Sequence, residues 1–127
     1  MIEASESPVR PEPIISSVKR DSTGATVSFV GSLKPVSASG ARVVHGRCDG
    51  DRGQVETHLR EVAGETTSKW HLDGVSICHR IGRIDIGETV LVVAIGAPHR
   101  QEAFEACQFA VDRIKELMPL TEVLEEH

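Results

Sequence analysis

Hydrophobic positions are most regularly spaced in the second half of the chain. A near-continuous apolar run over residues 88–96, rich in Val and Ile, predicts a strand that is buried on both faces. Asp85 and Gly87 indicate a tight turn just before it. After Pro98 the apolar residues recur at helical spacing, which predicts a long helix that ends at Pro119. The predicted apolar stripe of this helix consists of Ala103, Phe104, Cys107, Ala110, Val111, Ile114, Leu117 and Met118.

The first half of the chain carries shorter patterns of both kinds. Residues 25–30 alternate as a strand does, and residues 42–45 resume a strand after a loop rich in Ser, Gly and Pro, so a hairpin is predicted. Residues 54–63 have apolar side chains at helical spacing, and this helix is expected to continue toward Trp70, a predicted core anchor. Residues 75–77 then enter another strand. Strands and helices in this mixture predict an α+β fold.

Composition places limits on the fold and on the class of partner. Residues 1–13 contain three Pro and three Glu, so we expect a flexible N-terminal tail followed by a single domain over residues 14–127. The net charge of −5 argues against nonspecific binding to nucleic acid or to an anionic membrane. The chain has neither an apolar stretch of transmembrane length nor the apolar segment of a signal peptide, so we expect a cytoplasmic protein.

The cysteines do not form a recognisable ligand or disulfide pattern. Cys48, Cys78 and Cys107 are odd in number and widely spaced, so neither a disulfide framework nor a zinc site is predicted. His45 and Cys48 form a close pair, but two ligands do not make a metal site. We therefore expect no metal and no cofactor.

Three basic residues of the long helix are candidates for binding an anion. His99 and Arg100 stand at its start, where unpaired backbone N–H groups already favour negative charge. Lys115 projects to the edge of the apolar stripe, where it can border a groove. The alternative is that Arg100 and Lys115 are ordinary solvated helix charges. Phe109 projects to the polar side, so we expect it to be exposed and to meet a partner or a second subunit.

Three segments resemble a known family when they are taken together. They are HRIG at 79–82, APHRQEAFEACQFAVDRIKELMP at 97–119, and the Phe-Val-Gly strand end at 29–31. In this combination the chain resembles the large, catalytic subunit of molybdopterin synthase, the MoaE family. The resemblance implies a MoaE-like α/β hammerhead fold, with a mostly antiparallel sheet and packed helices.

The resemblance also implies an activity and a set of site residues. That subunit transfers sulfur from the thiocarboxylate on the C-terminal Gly-Gly tail of a small ubiquitin-like partner to cyclic pyranopterin monophosphate, which forms the molybdopterin dithiolene. Lys115 matches the catalytic lysine, acting in acid/base or covalent chemistry, and Lys34, His99 and Arg100 match substrate-binding positions. In the family His99 and Arg100 can be presented across a homodimer interface within a heterotetramer.

Two positions depart from the family pattern and leave alternatives open. After the helix-ending Pro the family has an aromatic, a Trp and a Lys, whereas this chain has Glu122 at the position of that lysine. Lys34 replaces an Arg and lacks the planar guanidinium group that binds phosphate through two N–H groups. Either Arg113 or Arg42 supplies the missing cation, or the chain is a divergent copy with reduced activity. A second hypothesis is a non-catalytic module that dimerises and docks the small partner. A third is an unrelated α+β enzyme.

Overall fold

The computed structural model describes residues 1–118 and 120–126, and within them the chain forms seven strands and three helices. In chain order these are β1 (Ile2–Ser5), α1 (Pro11–Ser16), β2 (Ala25–Ser32), β3 (Val43–Cys48), α2 (Arg52–Lys69), β4 (Gly74–Arg80), β5 (Gly82–Ile84), β6 (Thr89–Ala97), α3 (Arg100–Leu117) and β7 (Thr121–Leu124). The predicted stop at Pro119 lies outside the described residues. Helix α3 has its last helical residue at Leu117.

The larger sheet has four strands in the order β1-β4-β6-β2. β6 pairs antiparallel with both β2 and β4, and β1 joins β4 in parallel. All residues of β6 after Thr89 are buried, which confirms the strand predicted from the apolar run. One face packs against α2 and α3 and the other against α1, so the central strand needs apolar side chains on both sides. The α+β class with a mostly antiparallel sheet is confirmed.

The smaller sheet has the order β5-β3-β7, with antiparallel pairings throughout. The predicted hairpin between residues 25–30 and 42–45 is therefore wrong, because β2 pairs with β6 while β3 pairs with β5 and β7. After β2 the Leu33 N–H still donates to the Glu88 carbonyl at 3.0 Å, and Leu33 O accepts from Gly87 N–H at 2.8 Å. The Ser- and Gly-rich loop that follows turns back on itself instead. Ser37 N–H donates to the Ala41 carbonyl and Val43 N–H to the Pro35 carbonyl, both at 2.8 Å, so the local hairpin is confined to the loop and β3 leaves it into the smaller sheet.

The expectation of a flexible tail over residues 1–13 is also corrected. β1 is the edge strand of the larger sheet, and Ala4 within it is fully buried. Two side chains of α2 bind its outer backbone: Glu56 Oε2 accepts from Ala4 N–H at 3.1 Å, and Arg52 Nε donates to Ala4 O at 3.0 Å. Pro11 stands at the start of α1, a position where the missing N–H costs nothing.

Helix α2 confirms the helix predicted from residue 54 toward Trp70. Asp51 caps its start by accepting from Gln54 N–H at 3.3 Å. Gly64 lies inside the helix without ending it, and Trp70 packs against the core as expected. Among the described residues, no helix is both long enough and apolar enough to cross a bilayer.

Helix α3 confirms the predicted stripe apart from its aromatic residues, which exchange environments. Phe104, expected in the stripe, is 61% exposed. Phe109, expected to be exposed, is half-buried, with its ring 5.5 Å from the Trp70 ring and Lys69 Nζ 5.0 Å from its centroid. The end of α2 covers the side of α3 that carries Phe109, whereas Phe104 lies beside the edge strand β2.

Candidate functional site

A cavity of about 380 Å³ lies between the C-terminal part of α3 and the face of the larger sheet. Two of the described residues that line it are titratable, Lys115 from α3 and His79 from β4. The rest of the lining is apolar or small and comes from β2, β6, α3 and the segment after it. These residues are Phe29, Gly31, Ser32, Val90, Leu91, Ile114, Met118 and Leu120.

The register of the strands determines which residues form the floor of this cavity. His79 in β4 and Gly31 in β2 both pair with Leu91 in β6, so the three form one row across the sheet and face the same side. A Cβ at Gly31 would lie only 2.8 Å from an atom of the Phe29 ring. Glycine therefore lets the Phe29 ring reach the cavity, which is the physical reason for Gly after Phe-Val.

Lys115 lies at the mouth of the cavity, as the helical projection predicted. Its side chain is exposed, and Nζ is 5.5 Å from the centroid of the Phe29 ring, a cation–π distance. The same lysine also borders a groove beside Phe104 and Val27. A ligand can therefore reach the amine from the cavity or from the groove.

His79 is the site residue that the sequence did not reveal. It is 3% exposed, and Nδ1 is 2.7 Å from the Arg80 carbonyl oxygen. A carbonyl can only accept, so Nδ1 carries the proton and Nε2 of the neutral ring has a free lone pair. Burial lowers the pKa of His79, and the hydrogen bond to Arg80 opposes this more weakly. The available signal was the strand alternation, which places His79 on the same face as Ile77.

Arg80, the next residue, has a different task. Nε donates to Glu88 Oε1 at 3.0 Å, and other guanidinium N–H groups donate to the carbonyls of Ile81 and, at 3.0 Å, Arg83. The second oxygen of Glu88 accepts from Asp85 N–H at 2.7 Å. The His of HRIG thus faces the cavity, while the Arg holds the β4–β5 turn together.

His99 and Arg100 do not meet Lys115 within one chain. His99 is the N-cap of α3 and Arg100 its first residue, and both are exposed. Fifteen residues of helix separate Arg100 from Lys115, a rise of about 22 Å. A small anionic ligand of one chain cannot contact both ends of the helix.

The other predicted basic groups lie outside the cavity lining. Lys34 is exposed, two residues beyond Ser32 of the cavity. Arg113 donates to Glu65 at 3.0 Å and to Glu116 at 3.1 Å, so its charge is already paired. Arg42 is on the surface, with Nε 3.9 Å from Glu125 Oε2.

Glu122 is exposed in β7, two residues after Leu120, which lines the cavity. It pairs with Gly46 in the smaller sheet and is not part of the cavity lining. Of the described residues that line this cavity, Lys115 is the one with a full positive charge.

The cysteines are buried free thiols. Burial raises the pKa of Cys107 to about 11, and burial together with the charges of Glu3 and Glu56 raises the pKa of Cys78 to about 11. Burial and Asp49 also raise the pKa of Cys48. These thiols are protonated at neutral pH and are poor sulfur nucleophiles. Within the part of the chain that the structure describes, His, Cys, Asp and Glu form no metal-binding cluster.

Comparison with known proteins gives a consistent set of relatives. The molybdopterin synthase catalytic subunit of Bacillus subtilis is 33% identical over 118 residues, which is 93% of this chain and 74% of that protein. The protein of the same name from Thermoplasma volcanium is 31% identical over 119 residues, covering 94% of this chain and 86% of that one.

Solved structures give the same result for the fold. The crystal structure of molybdopterin synthase from Staphylococcus aureus superposes with a TM-score of 0.87 at 28% identity, covering 99% of this chain and 93% of that one. The MoaE protein of Burkholderia ambifaria gives 0.79 at 24% identity, over 95% and 85%. The family model described as "MoaE protein" matches residues 4–117. The chain therefore belongs to the MoaE protein family.

Proposed function

We propose that this chain is the catalytic subunit of a molybdopterin synthase. It transfers sulfur from the thiocarboxylated tail of a small ubiquitin-like partner to cyclic pyranopterin monophosphate, and so forms the molybdopterin dithiolene. The observation that carries the proposal is Lys115 at the mouth of a largely apolar cavity, in a chain of the MoaE family. An amine beside an apolar pocket can act on an acyl group or transfer a proton.

The source of the sulfur follows from the chemistry of the thiols. Since all three cysteines are buried and have raised pKa values, the chain offers no ready thiolate of its own. Sulfur delivered by a partner removes that need. Buried, unpaired thiols also support a cytoplasmic location, which is part of this proposal.

The phosphate-binding part of the proposal requires a second copy of the chain. His99 and Arg100 present an exposed imidazole and guanidinium at the start of α3, where a helix favours an anion. Lys34, exposed two residues beyond Ser32 of the cavity lining, adds a third basic group. Because His99 and Arg100 lie far from Lys115 of their own chain, we place them at the Lys115 site of a neighbouring copy. A homodimer that carries two small partners is the assembly this implies.

Lys115→Ala tests the catalytic assignment. Purified protein is mixed with the thiocarboxylated partner and the pterin precursor, and molybdopterin is quantified. We expect Lys115→Ala to lose at least about 100-fold in turnover, the scale for removing a catalytic proton-transfer group. Lys19→Ala is the matched control, because Lys19 is exposed and follows α1 on the opposite face of the sheet. A fully active Lys115→Ala protein would contradict the assignment.

Glu122 favours a second candidate, a non-catalytic module that dimerises and docks the small partner. A carboxylate at the position of the family's lysine repels a phosphate, and Arg113 is already paired with Glu65 and Glu116. The same assay decides between the two functions. Partner binding by wild-type protein without product formation supports the module, and Glu122→Lys would then be expected to restore product.

A further inference from the structure

We propose that His79 contacts the ligand of the Lys115 cavity, where Nε2 accepts a hydrogen bond from an N–H group of that ligand. His79 would then determine specificity for ligands that can donate at this position. The inference rests on the proposed function for the identity of the ligands. It goes beyond that function because it adds a polar contact on the cavity floor to the basic groups at its mouth.

The first support is geometric. His79 lines the same cavity as Lys115, in the row that register sets across β4, β6 and β2. The strand holds the imidazole from below, and the bond from Nδ1 to the Arg80 carbonyl fixes its rotation. Nδ1 is used by the backbone, so Nε2 is the polar atom left for the cavity.

The second support is that no residue in the described part of the chain forms a hydrogen bond with Nε2. Among the described residues, two buried side-chain atoms lack a hydrogen bond, His45 Nδ1 and Glu102 Oε2. Nε2 of His79 is not one of these fully buried, unpaired atoms, and the hydrogen bond of the ring to the described residues is made by Nδ1. Nε2 is therefore accessible through the cavity, where a ligand can reach it.

The third support is the charge state of the ring. The lining residues of β2 and β6 are uncharged, and the charge facing His79 comes from Lys115 on α3. Burial lowers the pKa of His79, and the positive charge of Lys115 on the same cavity disfavours an imidazolium further, so His79 stays neutral. A neutral ring whose proton is on Nδ1 can only accept at Nε2, and the ligand must donate.

Two ligands of the proposed reaction carry such a donor. One is the pterin, whose ring has N–H groups, and the other is the partner's C-terminal tail, whose backbone amides are also N–H donors. In both cases the cavity would bind a planar group that carries an N–H donor and lies between apolar side chains. The experiment must therefore measure the two ligands separately.

Two substitutions separate the two nitrogens of the ring. In His79→Asn the amide nitrogen lies close to the position of Nδ1 and can still donate to the Arg80 carbonyl, but nothing replaces Nε2. In His79→Gln the amide reaches about as far as Nε2, so an acceptor is kept while the bond to Arg80 is lost. A purely structural role for His79 would make His79→Gln the more damaging change. A ligand contact makes His79→Asn the more damaging one.

Binding is measured by calorimetry with the pterin phosphate and, separately, with the small partner in intact and tail-truncated forms. We expect His79→Asn to keep the wild-type melting temperature and to lose roughly 10- to 100-fold in affinity for one of the two ligands, the cost of an unpaired buried donor. His79→Gln should lose less affinity despite a lower melting temperature. A loss confined to the pterin identifies the ring N–H, and a loss confined to the intact tail identifies the peptide amide.

Equal affinity of His79→Asn and wild-type protein for both ligands would overturn the inference, as would a larger loss in His79→Gln. These results differ from a failure of the proposed function. In that case wild-type protein itself, mixed with both ligands, makes no molybdopterin.

Discussion

Arg80 and Glu88 form an ion pair whose side chains are only 10% and 17% exposed. Burial alone would raise the pKa of Glu88, but the Asp85 N–H, the Arg80 guanidinium bond and the Arg80 charge together lower it. The folded state therefore binds the Glu88 proton less tightly than the unfolded state does. The stability this gives is present above the ordinary pKa of 4.5 and is lost as pH falls below it.

Glu88→Gln should therefore remove part of the acid sensitivity of folding. We expect a loss of about 2 kcal/mol in the free energy of unfolding at pH 7, because Arg80 is left buried without its partner charge. We also expect a shallower decline between pH 5 and pH 3. Urea titrations at several pH values measure both effects. Glu125→Gln is the control, since that carboxylate is exposed and 3.9 Å from Arg42. Parallel declines for wild-type protein and Glu88→Gln would contradict the assignment.

Helices α2 and α3 pack side by side on one face of the larger sheet, and their contact settles the environment of two aromatic residues. Phe109 and Trp70 meet edge to face at 60°, with Lys69 nearby. Phe104, one and a half turns earlier, reaches the groove beside β2 instead. The C-terminal end of α2 therefore determines that Phe109, and not Phe104, lies on the covered side of α3.

Replacing each aromatic residue by Ala tests this packing. Phe109→Ala should lower the free energy of unfolding by about 2 kcal/mol, because a half-buried ring and its contact with Trp70 are lost. Phe104→Ala on the same helix should change it by no more than about 0.5 kcal/mol, as an exposed side chain does. Denaturant unfolding of dilute protein gives both values. A larger loss for Phe104→Ala would mean that its ring is covered in solution.

The basic residues proposed to hold and act on the substrate, His99, Arg100 and Lys115, lie at the two ends of α3. Net charge is −5, so an anionic substrate must be held by local clusters against the overall field. One basic group is the pair His99 and Arg100 at the start of α3, and the other is Lys115 at the cavity, about 22 Å away along the helix axis. A site that uses both groups on one substrate has to be completed by another copy of the chain.

Mixing two inactive variants tests that arrangement. Arg100→Ala and Lys115→Ala, produced together with different tags, should recover about a quarter of wild-type turnover, because about half of randomly formed dimers are mixed and each has one intact site. Lys115→Ala mixed with the double variant Arg100→Ala/Lys115→Ala has no intact site and is the control. Recovery no greater than in this control would mean that the two residues act within one chain, and turnover by Arg100→Ala alone would mean that Arg100 is not needed.

Much of this molecule could be predicted at the level of elements. The apolar run of β6, the stripe of α3 and the helix after Asp51 are set by local spacing, and each lies within a few residues of its predicted place. The position of Lys115 at the edge of a groove also follows from helical projection alone. The resemblance carried by HRIG and the start of α3 pointed to the family that the comparisons then established.

The arrangement of those elements was decided by tertiary contacts. The sequence could not show that β1 would join the sheet, that β3 would leave β2, or that α2 would cover Phe109 and not Phe104. Nor could it place His79 and Lys115 on one cavity, since they are 36 positions apart and meet there only because α3 packs over the sheet face that carries His79. Periodicity records which side of an element is apolar. Which element covers that side depends on pairing between distant residues, and a local pattern does not encode such pairing.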